Sequence, residues 1–144
     1  MDVSTALRDA GMRVTAPRLA VYEAVAAAPH SDTEQVLAGV RARLGTASTQ
    51  GVYDALRALT ALGLLRRIEP AGSPARYETR TGDNHHHAVC RACGTTADVD
   101  CATGATPCLT ASDPSGFVVE EAEVTYWGTC PDCQTGLPPA RSSA

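Results

Sequence analysis

Apolar residues recur at helical spacing through Leu62 and then give way to short runs that alternate. Pro17 to Ala28 reads as a first helix. Thr15 or Ala16 sits at its cap, Pro17 takes the first helical position, Leu19, Tyr22 and Ala26 share a face, and Pro29 stops it. Ser31 and Asp32 are suited to cap a second helix, with Val36, Leu37, Val40 and Leu44 on one stripe and Gly45 at its end. Ser48 caps a third, whose buried face is Val52, Leu56, Leu59 and Leu62 and whose end is Gly63. A strand from Leu64 to Glu69, a turn from Pro70 to Pro74 and a strand from Ala75 to Thr79 follow. Three helices and a hairpin are the layout of a winged helix-turn-helix; a generic small α+β domain is the alternative.

The third helix carries a second signal. At about 100° per residue, Gln50, Tyr53, Asp54 and Arg57 fall opposite Val52, Leu56 and Leu59. Gln and Arg can read base edges in a major groove, and Tyr can pack on thymine or bind phosphate. The plainer reading is an ordinary wet helix face. Asp54 would repel phosphate unless it pairs with Arg57 or accepts a proton from a cytosine amino group.

Residues 81–84 read as a hinge. Beyond it, Ala88-Val89, Thr96 to Val99 and Phe117 to Trp127 read as three strands, with a short helix around Cys108 to Ser112. The stretch from Gln134, rich in Pro, Gly and Ser, reads as a loose tail. The fold class expected is α+β: a winged helix over 1–80, the hinge, a small α/β module over 85–134, and a tail over 135–144. The chain has 144 residues, room for one compact domain or two small modules. A module as small as the second needs a staple, for which a metal serves, and a second copy of itself to close a core.

Net charge is −4, at first sight wrong for a nucleic-acid binder. The halves differ, however. Over residues 1–80 ten Arg face eight Asp and Glu, a balance of +2; over 81–144 two Arg face eight acidic residues, a balance of −6. The first half can approach a phosphate backbone and the second suits cations. No run is long and apolar enough for a membrane span, and Met1 to Leu7 has no signal-peptide pattern, so a cytoplasmic protein is expected. In that compartment paired cysteines serve as metal ligands or redox thiols more often than as disulfides.

Two C-x-x-C pairs, Cys90/Cys93 and Cys130/Cys133, can place four thiolates at the corners of a tetrahedron, the need of a closed structural Zn(II) site. A thioredoxin-like redox pair would instead need a C-x-x-C opening a helix in a βαβ setting, and none is visible. Just before the first pair, His85 and His87 alternate, so on a strand both face one side and His86 the other. With Glu78, Asp83, Asp98 or Asp100 as oxygen donors and His30 as the remaining histidine, a second site for Fe(II), Mn(II), Zn(II) or Co(II) is expected. Cys101 and Cys108 are left over: reduced thiols, with a redox pair or an additional zinc site as open alternatives.

Five segments together resemble the ferric uptake regulator (Fur) family. Gly11-Met-Arg-Val-Thr-Ala-Pro-Arg18 is similar to its opening G-x-R-x-T-x-x-R, and His30-Ser-Asp-Thr-Glu to its H-x-[ST]-A-[ED] helix start. Ser48-Thr-Gln-Gly-Val-Tyr-Asp-Ala-Leu56 is similar to its T-V-Y-R-x-L recognition helix. His85-His-His-Ala-Val-Cys-Arg-Ala-Cys-Gly94 resembles H-x-H-x-x-C-x-x-C-G, and Tyr126-Trp-Gly-Thr-Cys-Pro-Asp-Cys133 resembles Y-G-x-C-x-x-C with Trp127 inserted. The resemblance runs nearly end to end. It implies a homodimeric, metal-dependent repressor on an inverted-repeat DNA operator, with a C-terminal dimerisation domain, no membrane, no small organic substrate and no enzymatic turnover. A zinc-dependent hydrolase or a thiol oxidoreductase is the remote alternative.

The resemblance further implies a regulatory Fe(II) or Mn(II) held by His30, Glu78, His85, His87 and Asp98, apart from the structural Zn(II). It implies DNA contacts from Gln50, Tyr53 and Arg57 in the major groove and from Arg13 and Arg18 at the backbone or an adjacent minor groove. Asp98 stands where the peroxide-sensing branch resembles Asp and iron sensors usually carry Glu. The resemblance implies that this metal clamps the two halves together, and that in the peroxide-sensing branch iron-catalysed oxidation of a ligand histidine, here His30 or His85, releases the clamp. The run from Asp98 to Cys133 is most similar to the actinobacterial repressors of catalase-type genes; an iron- or zinc-uptake repressor is the alternative. Asp54 departs from the family's usual Arg. Thr129 stands where iron sensors often have a histidine, so the resemblance implies no third metal site.

Overall fold

A computed structural model describes residues 2–136. Met1 and residues 137–144 lie outside the described residues, and with them most of the expected tail. The chain divides into two compact units, one ending at Gly82 and the other beginning at Asp83.

The first unit contains α1 (Val3–Asp9), α2 (Ala16–Ala27), β1 (Ser31–Asp32), α3 (Thr33–Leu44), α4 (Thr49–Ala61), β2 (Arg66–Ile68) and β3 (Arg76–Glu78). The caps explain the helix starts. Asp2 accepts from Thr5 N, Thr15 from Arg18 N and Ser48 from Gly51 N, while Asp32 and Gln35 form a reciprocal capping box. Gly45, at φ +78°, ends α3 in a conformation that a side chain would strain. β1, β3 and β2 pair in that order, all antiparallel, so the β2–β3 hairpin forms the wing.

The core of this unit is Leu7, Val21, Val25, Val36, Val40, Val52, Leu56, Leu59 and Leu65 with their neighbours. Burial on α3 and α4 follows the expected stripes, except that Leu44 is exposed. On α2 the stripe is rotated from the one expected. Ala20, Val21, Ala24 and Val25 are buried, Leu19 and Tyr22 lie at its margin, and Ala26 is exposed. The helix starts where its cap places it; Ala20, Val21, Ala24 and Val25 make its buried stripe, while Leu19 and Tyr22 pack against the core from its edge. Gly39 of α3 serves a close approach: a Cβ there would lie 3.0 Å from the Ala24 Cβ.

The second unit contains β4 (His85–Cys90), β5 (Thr96–Asp100), β6 (Thr125–Gly128) and α5 (Pro131–Gln134). β4 is central, antiparallel to β5 and parallel to β6. Three expectations are corrected here. β4 begins at His85, well before Ala88, because the histidines are ladder residues and buried. Residues 108–112 are bends and irregular chain, where Pro107 removes a donor just before the expected helix. Of the long strand expected from Phe117 to Trp127, only the part from Thr125 is strand; before it the Val124 carbonyl accepts from His87 N–H at 3.5 Å, but residues 117–124 are not in the β4–β6 ladder. Among the described residues no helix is long and apolar enough to cross a membrane.

Candidate metal centres

The two C-x-x-C segments are brought together by β4 and β6. Gly94, at φ +78°, lets the chain fold back after Cys93, so that its N–H donates to the Cys90 carbonyl at 2.9 Å. Arg91 N–H donates to the Gly128 carbonyl at 2.8 Å, and the Arg91 guanidinium lies 5.2 Å from the Trp127 ring centroid. The second pair is thereby held against the first. Cys130 N–H donates to Cys90 Sγ at 3.3 Å, and the Cys93 and Cys130 sulfurs are 3.7 Å apart. All four Sγ atoms lie within 4.8 Å of one another.

The thiols respond to that crowding. Backbone N–H donors from Cys130 and Cys93 pull Cys90 from its ordinary 9.0 to about 6, and the Thr95 hydroxyl lowers Cys93. Cys133 is pushed upward, chiefly by its hydrogen bond with Cys130, as expected of the last sulfur asked to ionise in a group of four. A dication removes that conflict. Four convergent sulfurs already polarised by amide donors fit Zn(II). The four-residue α5 offers neither the length nor the βαβ setting of a thioredoxin-type thiol.

The expected nitrogen and oxygen donors fall on both units. In the first, His30 has φ +66°, a conformation uncommon outside glycine. β3 holds it there: His30 N–H donates to the Tyr77 carbonyl at 2.8 Å, and Arg76 Nη1 donates to the His30 carbonyl at 3.1 Å. Its Nε2 then lies 3.2 Å from Oε2 of Glu78, a carboxylate whose side chain is 1% exposed. Arg66 Nε stands 4.0 Å from the other oxygen.

In the second unit, the β4–β5 register puts His87 opposite Asp98, and Asp98 Oδ1 lies 3.3 Å from His87 Nε2 and 3.6 Å from His85 Nε2. The two imidazoles meet edge to face at 4.9 Å. His85 Nδ1 sits 2.7 Å from Asp83 Oδ1, so a proton on Nδ1 is held there and Nε2 is left with its lone pair toward Asp98. Sequence reasoning took Asp83 as a candidate oxygen ligand; its place in the structure is behind a histidine, orienting the ring. Asp100 stands opposite His85 in the ladder and is exposed. Two imidazoles and one carboxylate are a donor set that suits a divalent ion such as Fe(II), Mn(II), Zn(II) or Co(II) and leaves positions open.

On α4, Gln50, Tyr53, Asp54 and Arg57 all face solvent, with Tyr53 42% exposed. Asp54 is engaged within the helix: it pairs with Arg57 and accepts from Gln50 Nε2 at 2.9 Å. Arg13 is exposed, and Arg18 Nη1 donates to its carbonyl at 2.6 Å. Cys101 and Cys108 stand apart from the four-cysteine group and meet His86 instead, a grouping that only the topology could reveal.

The model of the ferric uptake regulator family matches residues 9–126. A transcriptional regulator FurA of Mycobacterium tuberculosis is 63% identical over 132 residues, 92% of this chain and 90% of that protein. A ferric uptake regulation protein 1 of Mycolicibacterium fortuitum is 59% identical over 129 residues, 90% of this chain and 80% of that protein. The crystal structure of the Vibrio cholerae ferric uptake regulator matches with a TM-score of 0.66 at 22% identity, covering 90% of this chain and all (100%) of that one. That last likeness speaks for the fold alone.

Proposed function

The chain belongs to the ferric uptake regulator family, and from that premise we propose that it is a metal-dependent, DNA-binding transcriptional repressor, cytoplasmic and homodimeric, that responds to peroxide. The observation that carries this reading is the division of the nitrogen and oxygen donors. His30 and Glu78 belong to the unit with the wing, and His85, His87 and Asp98 to the unit with the four-cysteine cluster. A cation shared by both sets would restrain one unit against the other, which is a physical route from metal supply to DNA affinity.

The second unit also supports a dimer. Its buried apolar side chains are few, Val89 and Cys90 among the described residues, whereas Phe117 is 75% and Val118 89% exposed. Such surface is covered in working proteins, and a second copy is the occupant proposed. Toward DNA, the exposed Gln50, Tyr53 and Arg57 would enter the major groove and Arg13 and Arg18 would meet phosphates. Arg57 would exchange Asp54 for the DNA.

The peroxide response rests on Asp98 and the histidines. When bound, Fe(II) would catalyse the cleavage of peroxide and end in the ferrous state, the imidazole being the net two-electron reductant, and Mn(II) would not. The chain supplies the target: a ring carbon of His30 or His85 takes one oxygen atom of peroxide and the other leaves as water. The altered imidazole then no longer serves the shared site. Each chain is consumed once, so this is not enzymatic turnover. Control of iron uptake is the second reading, favoured by the name of the 59% identical relative.

The reading is tested by titrating zinc-loaded protein onto an inverted-repeat duplex with and without Mn(II). Mn(II) should tighten binding by at least about 10-fold. Equal affinity in both conditions would overturn it.

A further inference from the structure

β4 has two faces, and the regulatory donors use one. His86 points to the other, and it is 4% exposed. Its Nε2 lies 3.2 Å from Cys108 Sγ. Cys101, directly after β5, completes the group: the imidazole nitrogen and both sulfurs lie within 4.8 Å of one another. We propose that His86, Cys101 and Cys108 form a separate Zn(II) site, with three protein ligands and a fourth position for a ligand from outside the cluster.

The chemistry and the dimensions agree. Two thiolates and one imidazole are a soft donor set suited to zinc, and three protein ligands leave a tetrahedral ion one position. With bonds of about 2.3 Å to sulfur and about 2.0–2.1 Å to nitrogen, tetrahedral ligands stand roughly 3.5–3.8 Å apart. The 3.2 Å contact and the 4.8 Å bound bracket that spacing, so small side-chain rotations suffice. Cys101 is already polarised. The Thr103 hydroxyl lies 3.4 Å from its sulfur and, with the Thr103 and Gly104 amides, holds the thiol at about 6, while Asn84 Nδ2 donates to the same sulfur at 3.4 Å. Asn84 also donates to the Ala105 carbonyl at 2.5 Å, so one amide ties Cys101 to the middle of the segment that carries the two cysteines.

Occupancy has a definite cost. Val124 N–H now donates to His86 Nδ1, at 3.4 Å, so the ring proton belongs on Nε2. Zinc at Nε2 moves that proton to Nδ1, releases the thiol protons to solvent and turns the Val124 amide away. Val124 directly precedes β6, so the start of that strand is where binding would be felt. The ion would staple the irregular segment 101–108 to the strand whose opposite face carries His85 and His87. This site does not use Thr129.

The test is zinc content of the full chain, reduced and equilibrated with zinc in a chelator buffer, without reference to DNA. Wild type should hold one zinc per chain more than Cys101→Ser and more than Cys108→Ser. Zinc should also protect both thiols of the wild type from alkylation, a readout that does not depend on the variants folding. Equal zinc content in wild type and both variants overturns the site. So does alkylation of Cys101 and Cys108 at the same rate with and without zinc, or a Cys101–Cys108 disulfide found in place of bound metal.

Discussion

His87 and Asp98 stand opposite one another across the β4–β5 ladder, and their side chains meet with Nε2 3.3 Å from Oδ1. Strand register makes this pair: a slip of one residue would put the two side chains on opposite faces. Asp98→Ala should therefore leave the sheet and the zinc intact while raising the Mn(II) needed for half-maximal DNA binding by at least about 10-fold. A metal-titrated binding assay measures it. An unchanged Mn(II) requirement would remove Asp98 from the ligand set.

Tyr53 and Arg57 separate recognition from stability. Both are exposed, and Arg57 touches Asp54 on its own helix. Tyr53→Ala and Arg57→Ala should each change folding stability by less than about 0.5 kcal/mol. Each should weaken specific DNA binding by about 1–3 kcal/mol. Thermal melts beside binding isotherms make the comparison; variants that melt early and bind normally would contradict the assigned face.

Much of this was legible in the sequence because caps and periodicity act locally. Asp32, Ser48 and Gly45 stand where the structure uses them, and the alternation of His85 and His87 by itself implies their shared face. What escaped depends on partners distant in sequence. The strand through the histidines was invisible to an apolar pattern because its buried residues are imidazoles. Phe117 to Val119 look like a strand, yet a strand requires a neighbour to bond with, and alternation reports faces only. α1 is seven residues long, too short for periodicity to declare it, although Val3 and Leu7 are a buried i, i+4 pair. The meeting of His86 with Cys101 and Cys108 is a product of topology.

Removing zinc should affect the two units unequally. The first has its own apolar core, whereas the second has little beyond Val89 and Cys90 and depends on the four cysteines. Cys93→Ser, or strong chelation, should abolish amide protection in β4–β6 and leave it in α2–α4. Hydrogen exchange resolved by peptide reads this directly. Persisting protection in β4–β6 would show that the sheet stands without its metal.

Cys101 should be the readily labelled thiol of the pair that meets His86. Its depressed value, about 6 against an ordinary 9.0, means that it is thiolate above that pH and thiol below. In reduced protein that keeps zinc on the four cysteines but carries none on Cys101, its alkylation should rise through about pH 6 and level off near pH 7, where an ordinary thiol is still gaining reactivity. Rates by peptide mass spectrometry across pH 5 to about 9 give the curve. A midpoint near 9 would contradict the hydrogen bonding described.

The most direct measurement is operator binding by the zinc-loaded protein with Fe(II) and, separately, with Mn(II), before and after about one equivalent of peroxide, followed by peptide mass spectrometry. The expected result is loss of binding in the Fe(II) form alone, with one added oxygen on His30 or His85. Binding that follows metal supply and ignores peroxide, with both histidines unmodified, would contradict peroxide sensing and leave a regulator of metal uptake.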